Sequence, residues 1–207
     1  NYLKFTSAAN ILVLYQMGFY SHHLMFDKLM EGLLEKRHNL TIFTSFFKDY
    51  KDHENVTQHV FTNTANIVNN NTNMMIYKQT KHSVYEVFFN FEIQTHVKVV
   101  EDQFEHPEIQ KIIKNKENYK FDLLIIECAV CSMIHLAELY DIPIVYLKAA
   151  DYSPVFHIII GNNVNPVVYS DATLPFTYGN LSITEMFASA AFYFFFVLVG
   201  KFRFCEK

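Results

Sequence analysis

The fold class is decided by residues 10–45, whose sequence is NILVLYQMGFYSHHLMFDKLMEGLLEKRHNLTIFTS. The stretch opens on an apolar run with β-branched members, Ile11 to Tyr15, which predicts a buried strand. A loop and an amphipathic helix follow, and a second strand is predicted at Leu40 to Ser45. Strand, helix and strand within about 35 residues make one βαβ unit, and such units build a parallel sheet with right-handed crossovers.

The predicted helix has an apolar stripe and polar ends. Ser21 is expected to cap its first turn, because a serine hydroxyl accepts a hydrogen bond from an unpaired backbone N–H there. The stripe recurs at helical spacing and consists of Phe26, Leu29, Met30, Leu33 and Leu34. Lys36, Arg37 and His38 are expected at the C-terminal end, where positive charge suits the helix dipole.

A second unit of the same kind lies further along the chain. Residues 121–126, FDLLII, predict a buried strand, and residues 132–140 predict a helix. A turn at 141–143 leads into a strand at 144–147. Alternating strands and helices favour an α/β fold, a parallel sheet with helices on both faces.

Three other segments are expected to be less regular or to pack on the sheet. Residues 49–75 are polar and predict irregular surface with one short strand around Val60. Residues 81–116 are amphipathic and predict helix, which Pro107 ends or kinks. Residues 186–199, MFASAAFYFFFVLV, are too few to span a bilayer alone, so a core or interfacial helix is favoured over a membrane span.

The composition of the chain excludes several classes of protein. The chain has 207 residues, of which 51% are hydrophobic and 18% charged, so it predicts a densely packed domain or one half of a two-domain enzyme. The net charge of −4 gives no basic field for nucleic acid, and five glycines argue against a glycine-rich phosphate loop. The three cysteines do not suggest a disulfide framework, and the CxxC spacing of Cys128 and Cys131 is interpreted as packing rather than as a redox or zinc motif.

The first nine residues and four sequons bear on localisation. Residues 1–9, NYLKFTSAA, match either the end of a cleaved signal peptide or an arbitrary start of the sequence. The N-x-S/T sequons begin at Asn39, Asn55, Asn70 and Asn180. In an Asn-rich chain they give only weak support to a secretory route.

Two strand ends carry the candidate chemistry. Ser21-His22-His23 follows the first strand, and Glu127 follows the strand FDLLII. The carboxyl ends of parallel strands line one crevice, so these side chains can meet. A carboxylate orients an imidazole and stabilises its cation after proton abstraction, which makes His22 and Glu127 a candidate acid–base pair. From the residues alone, an ordinary structural role for each remains the commoner outcome.

Two blocks of the chain resemble the UDP-glycosyltransferases related to UDP-glucuronosyltransferases, especially their insect and baculovirus ecdysteroid-glucosyltransferase branch. In the first block, residues 20–22 match the family's YSH motif, and RHNLTIF at 37–43 resembles its GHNVTV-like strand with Arg37 in place of Gly. The second block is FDLLIIECAVCSMIHLAELYDIPIVYL at 121–147, which resembles FD-x-[VIL]-x-x-[DE] followed by LAE-x-x-[NDG]-IP. NPVV at 165–168 resembles a further family segment loosely, and residues 50–85 match poorly.

The resemblance implies a GT-B enzyme, in which two Rossmann-like domains face each other. Residues 10–207 would be the N-terminal, acceptor-binding domain, and the domain that binds the UDP-sugar would lie outside the sequence given. His22 would take the proton of the acceptor hydroxyl, and Glu127, usually Asp in vertebrate relatives, would hold His22. Phe19, Tyr20 and Ser21 are predicted acceptor contacts, and His23 is expected to point elsewhere.

The implied reaction is an inverting transfer of a hexose from a UDP-sugar to a hydroxyl of a small lipophilic acceptor, with no cofactor and no metal. The full-length glycoprotein is expected to serve detoxification in the endoplasmic reticulum lumen, held by a C-terminal membrane anchor, with 186–199 as a second candidate membrane contact, or to be secreted. These residues alone are expected to be inactive. Two alternatives stay open: a non-catalytic domain that binds lipophilic ligands, from a truncated gene, and an unrelated Rossmann-like domain.

Overall fold

The computed structural model describes residues 8–78, 95–127, 131–149, 157, 162, 164–170, 174 and 180–204. At 72–78, 131–132, 196–197 and 199–204 it describes the backbone alone. The predictions on residues 1–7, on residues 81–94 and on the three cysteine side chains lie outside the described parts. The chain forms two compact units, Asn1–Ala149 and Ala150–Lys207. The predicted acceptor domain at 10–207 stays a prediction.

Five parallel strands form one sheet in the first unit, in the order β3-β2-β1-β4-β5. The strands are β1 (Asn10–Leu14), β2 (Asn39–Thr44), β3 (Val56–Val60), β4 (Leu123–Glu127) and β5 (Ile144–Leu147). The strand order reverses between β1 and β4. At such a switch point the loops leave the two carboxyl ends in opposite directions and open a crevice for ligands.

Helices cover both faces of this sheet. They are α1 (Tyr20–Glu35), α2 (Thr64–Lys78), α3 (95–104), α4 (Pro107–Lys114) and α5 (His135–Tyr140), with 3₁₀ turns at Lys116–Asn118 and Cys131–Ile134. Strand side chains alternate, so Ile11 and Val13 cluster with α1, whereas Leu12 and Leu14 cluster with α4 and α5. The predicted α/β fold, a Rossmann-like parallel sheet with helices on both faces, is confirmed.

Helix α1 differs from the prediction at its start and on its stripe. It begins at Tyr20, one residue before Ser21, because the carbonyl of Phe19 already accepts from the backbone N–H of His22 at 3.1 Å. Ser21 therefore lies inside the first turn, and its predicted role as the cap is wrong. Phe26, Met30 and Leu34 are buried as predicted, whereas Leu29 is 40% exposed, because it lies at the edge of the buried face.

Arg37 closes α1 in the left-handed region, with φ 63°. The N–H of Arg37 donates to the carbonyl of Leu34, and the N–H of His38 donates to the carbonyl of Leu33, which is the Schellman pattern of helix ends. Glycine adopts this conformation without steric cost. This left-handed backbone explains why the GHNVTV-like motif of the resembling family has Gly at the position that Arg37 occupies in this chain.

The polar segment at 49–75 holds more structure than predicted. Strand β3 confirms the short strand around Val60, but α2 occupies residues predicted to be irregular. In its first half, Val68 is buried together with Met17 and Val99, and the hydroxyl of Thr64 donates to Asp102 at 2.8 Å. Of the two predicted effects of Pro107, an end or a kink, the structure shows an end: α3 stops at 104, and Pro107 begins α4, in the first turn where its missing N–H is harmless.

The second unit contains α6 (Ile183–Phe204), which includes the apolar run at 186–199. Ser182 and Glu185 form a capping box at its start: Ser182 N–H and hydroxyl donate to Glu185 at 2.8 and 2.7 Å. The buried hydroxyl of Ser189 donates to the carbonyl of Pro166 at 2.6 Å. No helix in the described part of the chain combines the length and the apolar character needed to cross a bilayer.

Candidate active site

The two predicted catalytic side chains meet at the switch point between β1 and β4. Glu127 is the last residue of β4, and its side chain is 2% exposed. His22 lies in the first turn of α1, and its side chain is 24% exposed. Nδ1 of His22 lies 2.5 Å from Oε1 of Glu127.

Glu127 holds two partners with its two oxygens. Oε1 accepts from His22, and Oε2 accepts from the backbone N–H of Met17 at 3.0 Å. A carboxylate only accepts, so Nδ1 of His22 carries the proton in this contact and Nε2 keeps its lone pair. The pair can therefore receive a proton at Nε2 while Glu127 stabilises the resulting cation.

The three predicted acceptor contacts lie beside His22, each in a different environment. Phe19 is half-buried, and its ring centroid lies 5.2 Å from that of His22. Tyr20 is 62% exposed and meets Phe46 edge-on, with 5.6 Å between centroids, and Ser21 is exposed. Their contact with an acceptor stays a prediction.

His23 turns into the protein, away from its neighbour His22. It is buried, its Nε2 donates to the carbonyl of Met17 at 3.2 Å, and its Nδ1 lies 3.0 Å from the hydroxyl of Thr44. Burial lowers the pKa of His23 below its usual value of 6.5, which favours the neutral ring at pH 7. With Nε2 donating, Nδ1 of the neutral ring can only accept, and the single Thr44 hydroxyl proton then serves two acceptors at 3.0 Å, Nδ1 of His23 and the carbonyl of Phe46.

Two glutamines that no sequence motif marked complete the site. Gln16 lies two residues past the end of β1, Gln103 lies on α3, and both are fully buried. Nε2 of Gln103 donates to the backbone carbonyl of Gln16 at 2.7 Å, and Nε2 of Gln16 donates to Oε1 of Gln103 at 3.3 Å. The position of Gln16 after a strand was a signal in the sequence, whereas Gln103, 87 residues away, had none.

The loop between β1 and α1 packs closely on α2. A Cβ at Gly18 would lie 2.8 Å from Cα of Ala65, and real Cβ atoms do not approach backbone so closely. Any larger residue at this position would therefore force the loop or the start of α2 to shift. In the part of the chain that the structure describes, no three His, Cys, Asp or Glu side chains converge as metal ligands.

Comparisons with known proteins agree with the motif resemblance. No family model matches the chain. It is 28% identical over 171 residues to a UDP-glycosyltransferase of Dactylopius coccus, covering 81% of this chain and 32% of that protein. It is 25% identical to the ecdysteroid UDP-glucosyltransferase of Lacanobia oleracea granulosis virus, over 75% of this chain and 34% of that protein.

The ecdysteroid UDP-glucosyltransferase of Autographa californica nuclear polyhedrosis virus is 26% identical over 67% of this chain and 28% of its own length. Among solved structures, TcCGT1 in complex with UDP matches with a TM-score of 0.41 and 12% identity, over 85% of this chain and 36% of that chain. The resemblance to UDP-glycosyltransferases is confirmed by the curated relatives. The chain spans about a third of their length.

Proposed function

We propose that this chain is the acceptor-binding part of an inverting UDP-glycosyltransferase, with His22 as the general base and Glu127 as its orienting carboxylate. The contact between His22 Nδ1 and Glu127 Oε1, at the switch point of the sheet, carries the proposal. The relatives support the reaction class, because all three are named as UDP-glycosyltransferases or UDP-glucosyltransferases.

The proposed chemistry needs one base and one good leaving group. A neutral alcohol is a poor nucleophile, so Nε2 of His22 takes the hydroxyl proton as the acceptor oxygen bonds to the anomeric carbon. The bond from that carbon to the UDP oxygen breaks at the same time, and its electron pair leaves with UDP. A single displacement inverts the anomeric configuration, and Glu127 stabilises the imidazolium that forms.

The proposed acceptor is small and lipophilic. One aromatic ring, Phe19, lies beside His22, and Tyr20, two residues before His22 in the chain, meets Phe46 edge to face. Apolar and aromatic walls with few polar groups are typical of sites for such ligands. Ser21 would offer its exposed hydroxyl to a polar group of the acceptor.

The remaining two thirds of the relatives' length would hold the UDP-sugar site. In this proposal residues 10–207 form the N-terminal domain of a GT-B enzyme. The enzyme would lie in the endoplasmic reticulum lumen, attached to the membrane by an anchor outside these residues, or would be secreted.

The test measures hexose transfer from UDP-glucose and UDP-glucuronic acid to a panel of lipophilic alcohols. The full-length gene product should transfer at least one sugar with inversion, and the 207-residue chain alone should transfer none. Transfer with retention, or transfer by the 207-residue chain alone, would contradict the proposal. Acceptor binding without transfer by the full-length product would favour the non-catalytic alternative.

A further inference from the structure

The geometry points to Gln103 and His23 as positioning residues for the pair His22–Glu127. In the loop between β1 and α1, Gln103 donates to the carbonyl of Gln16 and His23 donates to the carbonyl of Met17. The backbone N–H of Met17 lies between these two carbonyls and donates to Glu127. The inference rests on the proposed roles of His22 and Glu127.

Gln103 acts on the peptide unit that joins Gln16 to Met17. The carbonyl of this unit accepts from Gln103 at 2.7 Å, and its N–H donates to Glu127 at 3.0 Å. A peptide unit is planar, so bonds at both of its ends fix its orientation. The side chains of Gln103 and Glu127 are buried, and hydrogen bonds in series polarise one another there.

His23 fixes the next carbonyl, that of Met17. Its Nε2 donates to that carbonyl, while its Nδ1 faces Thr44 at the end of β2. The rings of Tyr15 and Phe46 pack edge-on against the imidazole, with centroids at 5.0 and 4.9 Å. Because His23 adjoins His22 in α1, the same helical turn carries the proposed base and the residue that holds the Met17 carbonyl in place.

The bonds form one series from α3 to the base. Gln103 donates to the Gln16–Met17 peptide, the peptide donates to Glu127, and Glu127 accepts from His22. Without the Met17 N–H, Oε2 of Glu127 would lose the donor that the structure shows for it. The carboxylate could then rotate, and His22 would lose its fixed tautomer.

Plain core packing is the competing explanation, and paired variants separate the two. His23→Gln keeps an N–H donor toward Met17, whereas His23→Phe keeps the ring volume and loses the donor. Gln103→Leu removes the donor to Gln16. Gln110→Leu is its matched control, because Gln110 donates to the carbonyl of Phe104 at the same 2.7 Å, outside the site.

The primary readout is the tautomer of His22, from two-bond ¹⁵N–¹H correlation spectra of the labelled 207-residue chain. We expect the Nδ1-protonated tautomer in the unaltered chain, His23→Gln and Gln110→Leu, and a mixture of tautomers in His23→Phe and Gln103→Leu. In the full-length enzyme the last two variants should lose about 10–100-fold in kcat, by analogy with the loss seen when the hydrogen-bond partner behind a metal-ligating histidine is removed. The acceptor KM should change little.

A fixed Nδ1 tautomer in both His23→Phe and Gln103→Leu would overturn the inference, as would equal kcat losses in His23→Gln and His23→Phe. Should His23→Phe not fold, Gln103→Leu compared with Gln110→Leu decides the inference, because only the former removes a donor to the loop between β1 and α1. The tautomer measurement does not need catalysis. Absent transfer by the full-length protein would therefore refute the proposed function without deciding the positioning role.

Discussion

His22 and Glu127 lie 105 residues apart in the chain, yet Nδ1 of one lies 2.5 Å from Oε1 of the other. The contact joins the first turn of α1 to the end of β4, so it depends on the parallel pairing of β1 with β4. The chain also holds an exposed counterpart, His135 and Glu138, with Nδ1 and Oε2 3.0 Å apart on one helix. That surface pair is a built-in control for the buried one.

Replacing His22 by Ala in the full-length enzyme should abolish most turnover. A general base contributes about 10²–10⁴-fold to a rate, so kcat should fall by that factor. Acceptor binding should survive, because His22 supplies little of the apolar surface. Steady-state kinetics and acceptor titration measure the two effects, and His135→Ala should leave both unchanged. A near-normal kcat in His22→Ala would mean that another group is the base.

Glu127→Gln should also lower kcat by orders of magnitude, although it preserves size. The amide has one acceptor oxygen for two donors, the Met17 N–H and the His22 Nδ1–H. Its NH₂ must face one of them, so either the loop or the tautomer is lost, and so is the charge that stabilises the imidazolium. The matched control is Glu138→Gln, which alters the exposed pair. If Glu127→Gln and Glu138→Gln turn over equally fast, Glu127 does not orient the base.

Stability should fall as the pH drops below 6.5, in part through His23. Burial lowers the pKa of His23, while Glu127 and Asp27 favour its charged form and His22 opposes it. As the pH falls, the unfolded chain binds this proton before the folded chain does. The stability that neutral His23 contributes is therefore fully present above pH 6.5, and it is lost as the pH falls toward the lower pKa of His23 in the folded chain.

Urea unfolding between pH 5 and 8 measures this dependence. His23→Gln should flatten the slope relative to the unaltered chain, whereas His135→Gln should not. The comparison between variants is needed because burial also lowers the pKa of His59, which acts in the same pH range. If the free energy of unfolding changes with pH equally in His23→Gln and in the unaltered chain, His23 does not contribute to the pH dependence.

Gly18→Ala should destabilise the fold by about 1–3 kcal/mol, the usual cost of overpacking. The added methyl would press on the backbone of Thr64 and Ala65 at the start of α2. Gly32→Ala is the opposite control, because a Cβ at Gly32 meets nothing within 4 Å. Within α1 it should stabilise by about 0.5–1 kcal/mol. Chemical denaturation of both variants checks the pair, and equal shifts would contradict the close contact.

Local sequence patterns predicted most of the sheet, and the predictions that failed show which elements depend on distant residues. The strand at 144–147 lies as predicted, because four apolar residues after a turn leave few alternatives. Helix α2 was missed, since its first half, TANIVNNN at 64–71, is rich in Asn and its few apolar residues show no clear helical period. The Ser21 cap was wrong because the start of α1 depends on the loop that precedes it, and that loop is held by distant residues.

The sequence by itself determined the α/β class, the candidate base at His22 and the candidate carboxylate at Glu127, because strands, helices and motif residues are local patterns. Only the tertiary structure decided that the two side chains touch, that His23 faces inward, and that Gln103 and Met17 take part. The reason is physical. Hydrogen bonds between residues about a hundred positions apart exist only once the parallel sheet brings its strand ends together.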